Sequence, residues 1–423
     1  MPAKKSGNKP AAKITATAGG YVFADPKPTQ DDYSGFSQAD LAADSAAKAS
    51  QQLEPLPTPR TPAVLNLTQV LGAAAVQQIT AAGNIVFHCV GDTGGIKEPS
   101  YQFAVADEMA LDLEGKTYQT GQPAFFYHLG DVVYYLGQER YYYDQFYDPY
   151  RDYDGPIFAI PGNHDGMISP SIKGQKTLAG FLDNFCTSQP THNAEAQGIS
   201  RTTITQPGVY FTLDAPFVKF IGLYSNTSEG ATQGVISGKV VGMAQLKFLQ
   251  QQLQTAAQQR KSGDHRALII AVHHPPFTGS EDHVPSPNVL ADIDSACKTA
   301  GILPDIVLSG HAHLYERYTR FVGSAQIPFL VAGMGGYFNL SGLKPTKNGT
   351  KPKPPVTTKD AVGNKLVLNA YNDTTFGYLR LSVSPTTLKC TFVTVDLNPQ
   401  APPTVGTGDS FTLDLNRHIV STP

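Results

Sequence analysis

The chain has 423 residues, 41% of them hydrophobic and 10% aromatic, enough for one large α/β domain with appendages or for two ordinary domains. A net charge of -3 gives no electrostatic case for a nucleic-acid partner or an anionic membrane surface. Its four cysteines, Cys89, Cys186, Cys297 and Cys390, share no CxxC spacing, which argues against a zinc ribbon or a disulfide framework and leaves a single disulfide open.

Residues 1–62 are unlike the rest. They are rich in Ala, Lys, Pro, Ser and Gln and close on Glu54-Pro55-Leu56-Pro57-Thr58-Pro59-Arg60-Thr61-Pro62, which reads as a low-complexity arm ending in an extended linker. The stretch around 33–47 is the part of the arm expected to pack on the domain. No apolar stretch follows Met1-Pro2-Ala3-Lys4-Lys5, and no run of 18 apolar residues occurs, so neither a secretory leader nor a membrane span is expected and the cytoplasm is the default compartment.

From residue 63 to 423 one domain is expected. Residues 84–90, 124–129 and 157–160 read as strands ending at Gly91-Asp92, Gly130-Asp131 and Pro161-Gly162-Asn163-His164. Strands at 209–213 and 218–224 precede a helix over 242–261, where Met243, Leu246, Leu249, Leu253 and Ala256 recur at helical spacing. A strand at 267–272 ends at His273; Val289, Ile293 and Cys297 mark another helix; a strand at 306–308 ends at Gly310-His311. This alternation predicts an α/β fold, with every polar string just past the carboxyl end of a strand, where such sheets build their sites. After His313, strands at 327–332, 377–383 and 388–396 without intervening helices read as a second sheet. Residues 341–364 read as a long exposed loop ahead of a strand-rich part, 365–423.

Taken singly, Gly-Asp strings are ordinary turns, Asn163-His164-Asp165 is a polar turn, and Tyr134 belongs to a tyrosine-rich packing stretch. In an extended segment His311 and His313 point to the same side, within reach of neighbouring ions. Five such strings, in order and all at strand ends, point instead to one shared site. Two carboxylates, a phenol, an amide and three imidazoles suit a pair of metal ions and phosphate-ester hydrolysis.

In these strings the sequence resembles the calcineurin-like metallophosphoesterases, and within them the purple acid phosphatases. The first string, Asp92-Thr93-Gly94, lacks the histidine of the commoner Asp-x-His form, a departure that subgroup shares, and Tyr134 follows Asp131 at its spacing. The resemblance implies a four-layer α/β/β/α sandwich of two mixed sheets flanked by helices. It gives one ion Asp92, Asp131, Tyr134 and His313, and the other Asp131, Asn163, His273 and His311, with Asp131 bridging. The harder, more anionic first set suits Fe(III) and the second a divalent Zn, Fe or Mn; if Tyr134 only packs, both ions are divalent.

The implied function is hydrolysis of phosphate monoesters by a metal-activated hydroxide, with His164 protonating the leaving group and Asp165 orienting it. His283 stands where the purple acid phosphatases often carry a substrate-facing histidine. The remaining histidines read as structural. A phosphodiesterase, including one for cyclic nucleotides, and a non-catalytic binding module are the alternatives. The partner expected is a small-molecule phosphate ester, without nucleic acid or membrane; the oligomeric state stays open.

Overall fold

The computed structural model describes residues 38–50, 53–226, 234–397 and 403–422. Helix α1 (Gln38–Ser50) belongs to the N-terminal arm. The edge strand β1 (Val64–Asn66) runs into α2 (Leu67–Ala82), which Asn66 caps: its side chain accepts from Thr68 N–H while Gln69 Oε1 accepts from Asn66 N–H. Strands β2 (Ile85–Val90), β3 (Pro123–His128) and β4 (Ile157–Ala159) are buried at every position, as apolar runs of this kind require. Between β2 and β3 lies α3 (Ser100–Leu111); the one-turn α4 (Asn163–Gly166) and α5 (Ala179–Phe185) follow β4.

A hairpin of β5 (Phe211–Ala215) and β6 (Val218–Leu223) leads to α6 (Ala244–Lys261), β7 (Ala267–Val272), α7 (Pro287–Ala300) and β8 (Ile306–Ser309). Ser286 caps α7, Pro287 opens it, and Gly301 at φ 68° ends it in the left-handed region. The chain closes with β9 (Tyr315–Val322), β10 (Ala325–Ala332), β11 (Val356–Lys359), β12 (Lys365–Asn372), β13 (Phe376–Val383), β14 (Thr387–Asp396), β15 (Thr404–Asp414) and β16 (Ile419–Ser421).

Two mixed sheets result, of order β1-β5-β6-β7-β8-β10-β9-β12-β11 and β16-β15-β14-β13-β2-β3-β4. They meet face to face: Phe87 and Tyr127 of the smaller sheet lie 5.2 and 4.5 Å, centroid to centroid, from Phe220 of the larger. Each such buried aromatic contributes about 1.5–3 kcal/mol relative to exposure. Helix α3 packs on β13 and β14 outside one sheet, and α6 packs on β6 and α7 outside the other. This is the expected sandwich of two mixed sheets between helices.

Two expectations need correction. Strand β10 joins the larger sheet, while β13 and β14 extend the smaller one beside β2, so the strand-rich tail serves both. The stretch 341–364 is not one loop: Ser341 is buried, and β11 pairs with β12. All four cysteines are free. Of the arm, residues 1–37 lie outside the described residues, but α1 is ordered against the domain.

Candidate metal centre

The strand ends do the positioning. Asp92 follows β2, Asp131 and Tyr134 follow β3, and Asn163 opens α4 after β4, all from the smaller sheet. His273 follows β7, and His311 and His313 follow β8, from the larger. The site therefore forms where the carboxyl ends of both sheets converge. Asp92, Asp131 and His311 sit at φ 57°, 54° and 69°, a region non-glycine residues enter only when the surroundings hold them there, at about 1–3 kcal/mol each. Two glycines leave room for the ligands. A Cβ on Gly162 would come within 2.1 Å of Asp131 Oδ1, and one on Gly130, at φ 98°, within 2.5 Å of His273 Nδ1.

The donor atoms fall into two touching groups. In one, Tyr134 Oη lies 3.2 Å from Asp92 Oδ1 and 3.3 Å from His313 Nε2, and the last two are 3.5 Å apart. In the other, one ligand atom each of Asp131, His273 and His311 lie within 4.8 Å of one another. Asp131 Oδ2 is 3.3 Å from His273 Nε2, which in turn is 4.0 Å from Asp92 Oδ1. Ligands of one ion at about 2.0–2.3 Å from it stand at such mutual separations.

These residues fit a cation. His273 Nε2, His311 Nε2 and Asn163 Oδ1 are buried and have no hydrogen-bond partner, a costly state that a metal relieves. Two of the imidazoles are fixed from behind: His273 Nδ1–H donates to the Leu129 carbonyl at 2.8 Å and His313 Nδ1–H to that of Asn339 at 3.1 Å, which turns each Nε2 lone pair inward. Burial alone favours the neutral carboxyl of Asp131, yet the His273 and His164 rings hold it well below the usual carboxylate range. Burial likewise opposes charge on His273, but Asp131 and Asp92 overcome it and lift that imidazole to about 9. The buried carboxylates thus demand positive charge between them.

The seven expected ligands, Tyr134 among them despite its packing neighbourhood, all stand at these strand ends. His283 also arrives: its ring is 4.6 Å from that of His311 and 5.0 Å from that of His313, and its Nδ1 lies 3.3 Å from Ser341 Oγ. His164 is half-buried beside Asn163, and its Nδ1–H donates to the Tyr135 carbonyl at 2.7 Å. Asp165 does not orient it. The Asp165 carboxylate accepts backbone N–H groups of Gly162 at 2.8 Å and of Val132 and Val133 at 3.1 Å, tying the loop after β4 to the loop after β3.

Tyr337 escaped the sequence reading, and His274 was read there only as structural. Tyr337 packs between Tyr134 and His313, its ring tilted against theirs at 4.3 and 4.5 Å, and its N–H donates to the Asp92 carbonyl. His274 packs on His311 at 4.1 Å and bonds Ser225 through Nδ1. Only adjacency to Gly336 and to His273 hinted at either.

The model of the calcineurin-like phosphoesterases matches residues 85–315, more than half of the chain and all five strings of the site. Fold and site define a metallophosphoesterase, and the chain belongs to the calcineurin-like phosphoesterase family. Among solved structures it is similar to purple acid phosphatase PPD1 from yellow lupin (Lupinus luteus) seeds, with 16% identity and a TM-score of 0.51 over 78% of this chain and 54% of that one. The chain thus spans about half the length of the lupin protein. It is also similar to PhoD, with 13% identity and a TM-score of 0.47 over 80% and 71% of the two chains. A third, GAP50, the anchor in the inner membrane complex of Plasmodium, has 14% identity and a TM-score of 0.47 over 77% and 88%. These likenesses are of fold. No curated protein matches the sequence significantly. Among the described residues no helix is long and apolar enough to cross a membrane.

Proposed function

We propose that the protein hydrolyses small phosphate monoesters at a centre of two metal ions, one held by Asp92, Asp131, Tyr134 and His313 and the other by Asp131, Asn163, His273 and His311. The observation that carries this reading is the grouping of Asp131 with His273 and His311, whose Nε2 atoms are buried and partnerless, beside a second cluster of three. A pair of ions held by these residues would supply polarisation of phosphoryl oxygens, a more acidic water and neutralisation of the charge that builds up in displacement at phosphorus.

The chain's own residues supply the rest. With Nδ1–H committed to the Tyr135 carbonyl, His164 has Nε2 left to carry the proton that a departing alkoxide needs. His283, against the rings of both His311 and His313, offers a donor to a non-bridging phosphoryl oxygen. Tyr134 gives the first set its hard, anionic character once a cation offsets the burial and the Asp131 and Asp92 charges that now hold its phenol well above the ordinary range. The proposed pair is accordingly Fe(III) with Zn, Fe or Mn.

Metal analysis of the purified protein, with rates on p-nitrophenyl phosphate and its bis-ester, tests the reading. Two metals per chain and faster monoester cleavage are expected. Dominant diester cleavage would shift the proposal to a phosphodiesterase, and no transition metal to a binding module. A purple tyrosinate absorption identifies Tyr134 on Fe(III); an active colourless enzyme removes iron from the proposal.

A further inference from the structure

The arm helix α1 lies over the histidine proposed to serve the leaving group. Ala43 and Ala47, one turn apart on one face, are each 3% exposed and share an apolar cluster with Ile96, Tyr134, Tyr135, Leu136 and Met167. Tyr135, whose carbonyl fixes His164, has its ring 6.2 Å from the His164 ring and is only 5% exposed. Lys48 holds its ammonium 5.8 Å from the centre of the Tyr135 ring while pairing with Asp44 at 2.9 Å. At the other end of the helix Asp40 accepts from Arg140 at 2.5 Å and from Tyr141 at 3.2 Å. The seat is narrow and half polar: Ala43 and Ala47 share the buried face with Asp40 and Asp44, Leu41 is half-buried, and Asp40 is held by Tyr141 and by an arginine that is largely exposed. The tether is firm, because the Arg60 guanidinium donates to the carbonyls of Cys186, Thr205 and Gln206. A helix seated on so narrow a face, on a fixed tether and packed on the tyrosine beside His164, is a releasable element.

We propose that α1 is a detachable wall of the substrate cleft, which confines the site to esters of small alcohols and phenols and excludes phosphorylated protein side chains. This rests on the phosphatase reading given above. In the full chain, Ala47→Glu forces a carboxylate into the apolar seat, and Asp40→Arg sets two cations against each other; Asp40→Arg with Arg140→Asp restores the pair. Faster tryptic cleavage after Lys48 verifies release. The readout is kcat/KM on a phosphotyrosine decapeptide relative to p-nitrophenyl phosphate. Both single variants are expected to raise that ratio roughly tenfold, and the charge swap to return it towards wild type. Single variants that release the helix yet keep the wild-type ratio overturn the wall alone. Wild-type cleavage after Lys48 already as fast as in the variants also overturns it, because the helix is then not seated. A wild-type protein inert to both substrates overturns the phosphatase reading and the wall with it.

Discussion

Asp131 Oδ2 stands 3.3 Å from His273 Nε2, with the two side chains 1% and 0% exposed. The contact joins a loop of the smaller sheet to a strand end of the larger, so it is also the seam where the two sheets share a centre. Asp131→Asn keeps the shape and removes the charge both proposed ions require. Metal content is expected to fall sharply and kcat/KM by about a thousandfold, with far-ultraviolet circular dichroism unchanged. A variant that keeps both metals and its rate would dissolve the bridging role.

His164 is expected to matter according to the leaving group. His164→Gln should lower kcat/KM for phenyl phosphate by about 10²–10⁴, and for p-nitrophenyl phosphate far less, since that phenolate departs without a proton. Equal losses on both esters would make His164 a phosphate-binding residue.

Asp165 gives a contrasting expectation, because its carboxylate binds backbone N–H groups of two ligand-bearing loops and not the neighbouring imidazole. Asp165→Asn should destabilise the fold by about 1–3 kcal/mol in denaturant titrations. It should also weaken metal retention, and added metal should recover much of the activity without moving the pH profile. A displaced acidic limb would instead show Asp165 acting through His164.

The legible part of this protein was the part with a strong local pattern. Strand β7 begins and ends where its apolar run does, and each ligand string marks a strand end, so topology and site could be read together. Helix α2 was not legible: it is Ala- and Gln-rich, with only Leu67 and Ile79 buried, and so carries no stripe. Much of β15 is exposed and rich in Thr and Gly, which reads as turn. Arg317 pairs with Asp409, 92 residues further on, a partner that only the folded tail brings to it. Asp165 misled for a related reason: proximity in sequence says nothing about where a carboxylate points, and here the one-turn α4 aims it at amides behind the site.

Glu316 offers a pH test away from the ligands. It is fully buried and accepts from Thr278 Oγ1 at 2.6 Å, Gly279 N–H at 2.8 Å and Tyr318 Oη at 2.9 Å. Burial lifts its carboxyl to about 7, against the opposing pull of those three donors. A folded value above the unfolded one, which is about 4.3, means the folded chain keeps a proton that the unfolded chain has lost. Its contribution to stability is therefore full below about pH 4.3 and is lost as pH rises towards 7, by up to about 4 kcal/mol. Glu316→Gln stays neutral throughout, so its stability relative to wild type should rise between about pH 4 and about pH 8. Urea titrations of both proteins at those two pH values measure this difference. A difference that does not change with pH would mean that Glu316 is already ionised in the fold and that its three donors outweigh its burial.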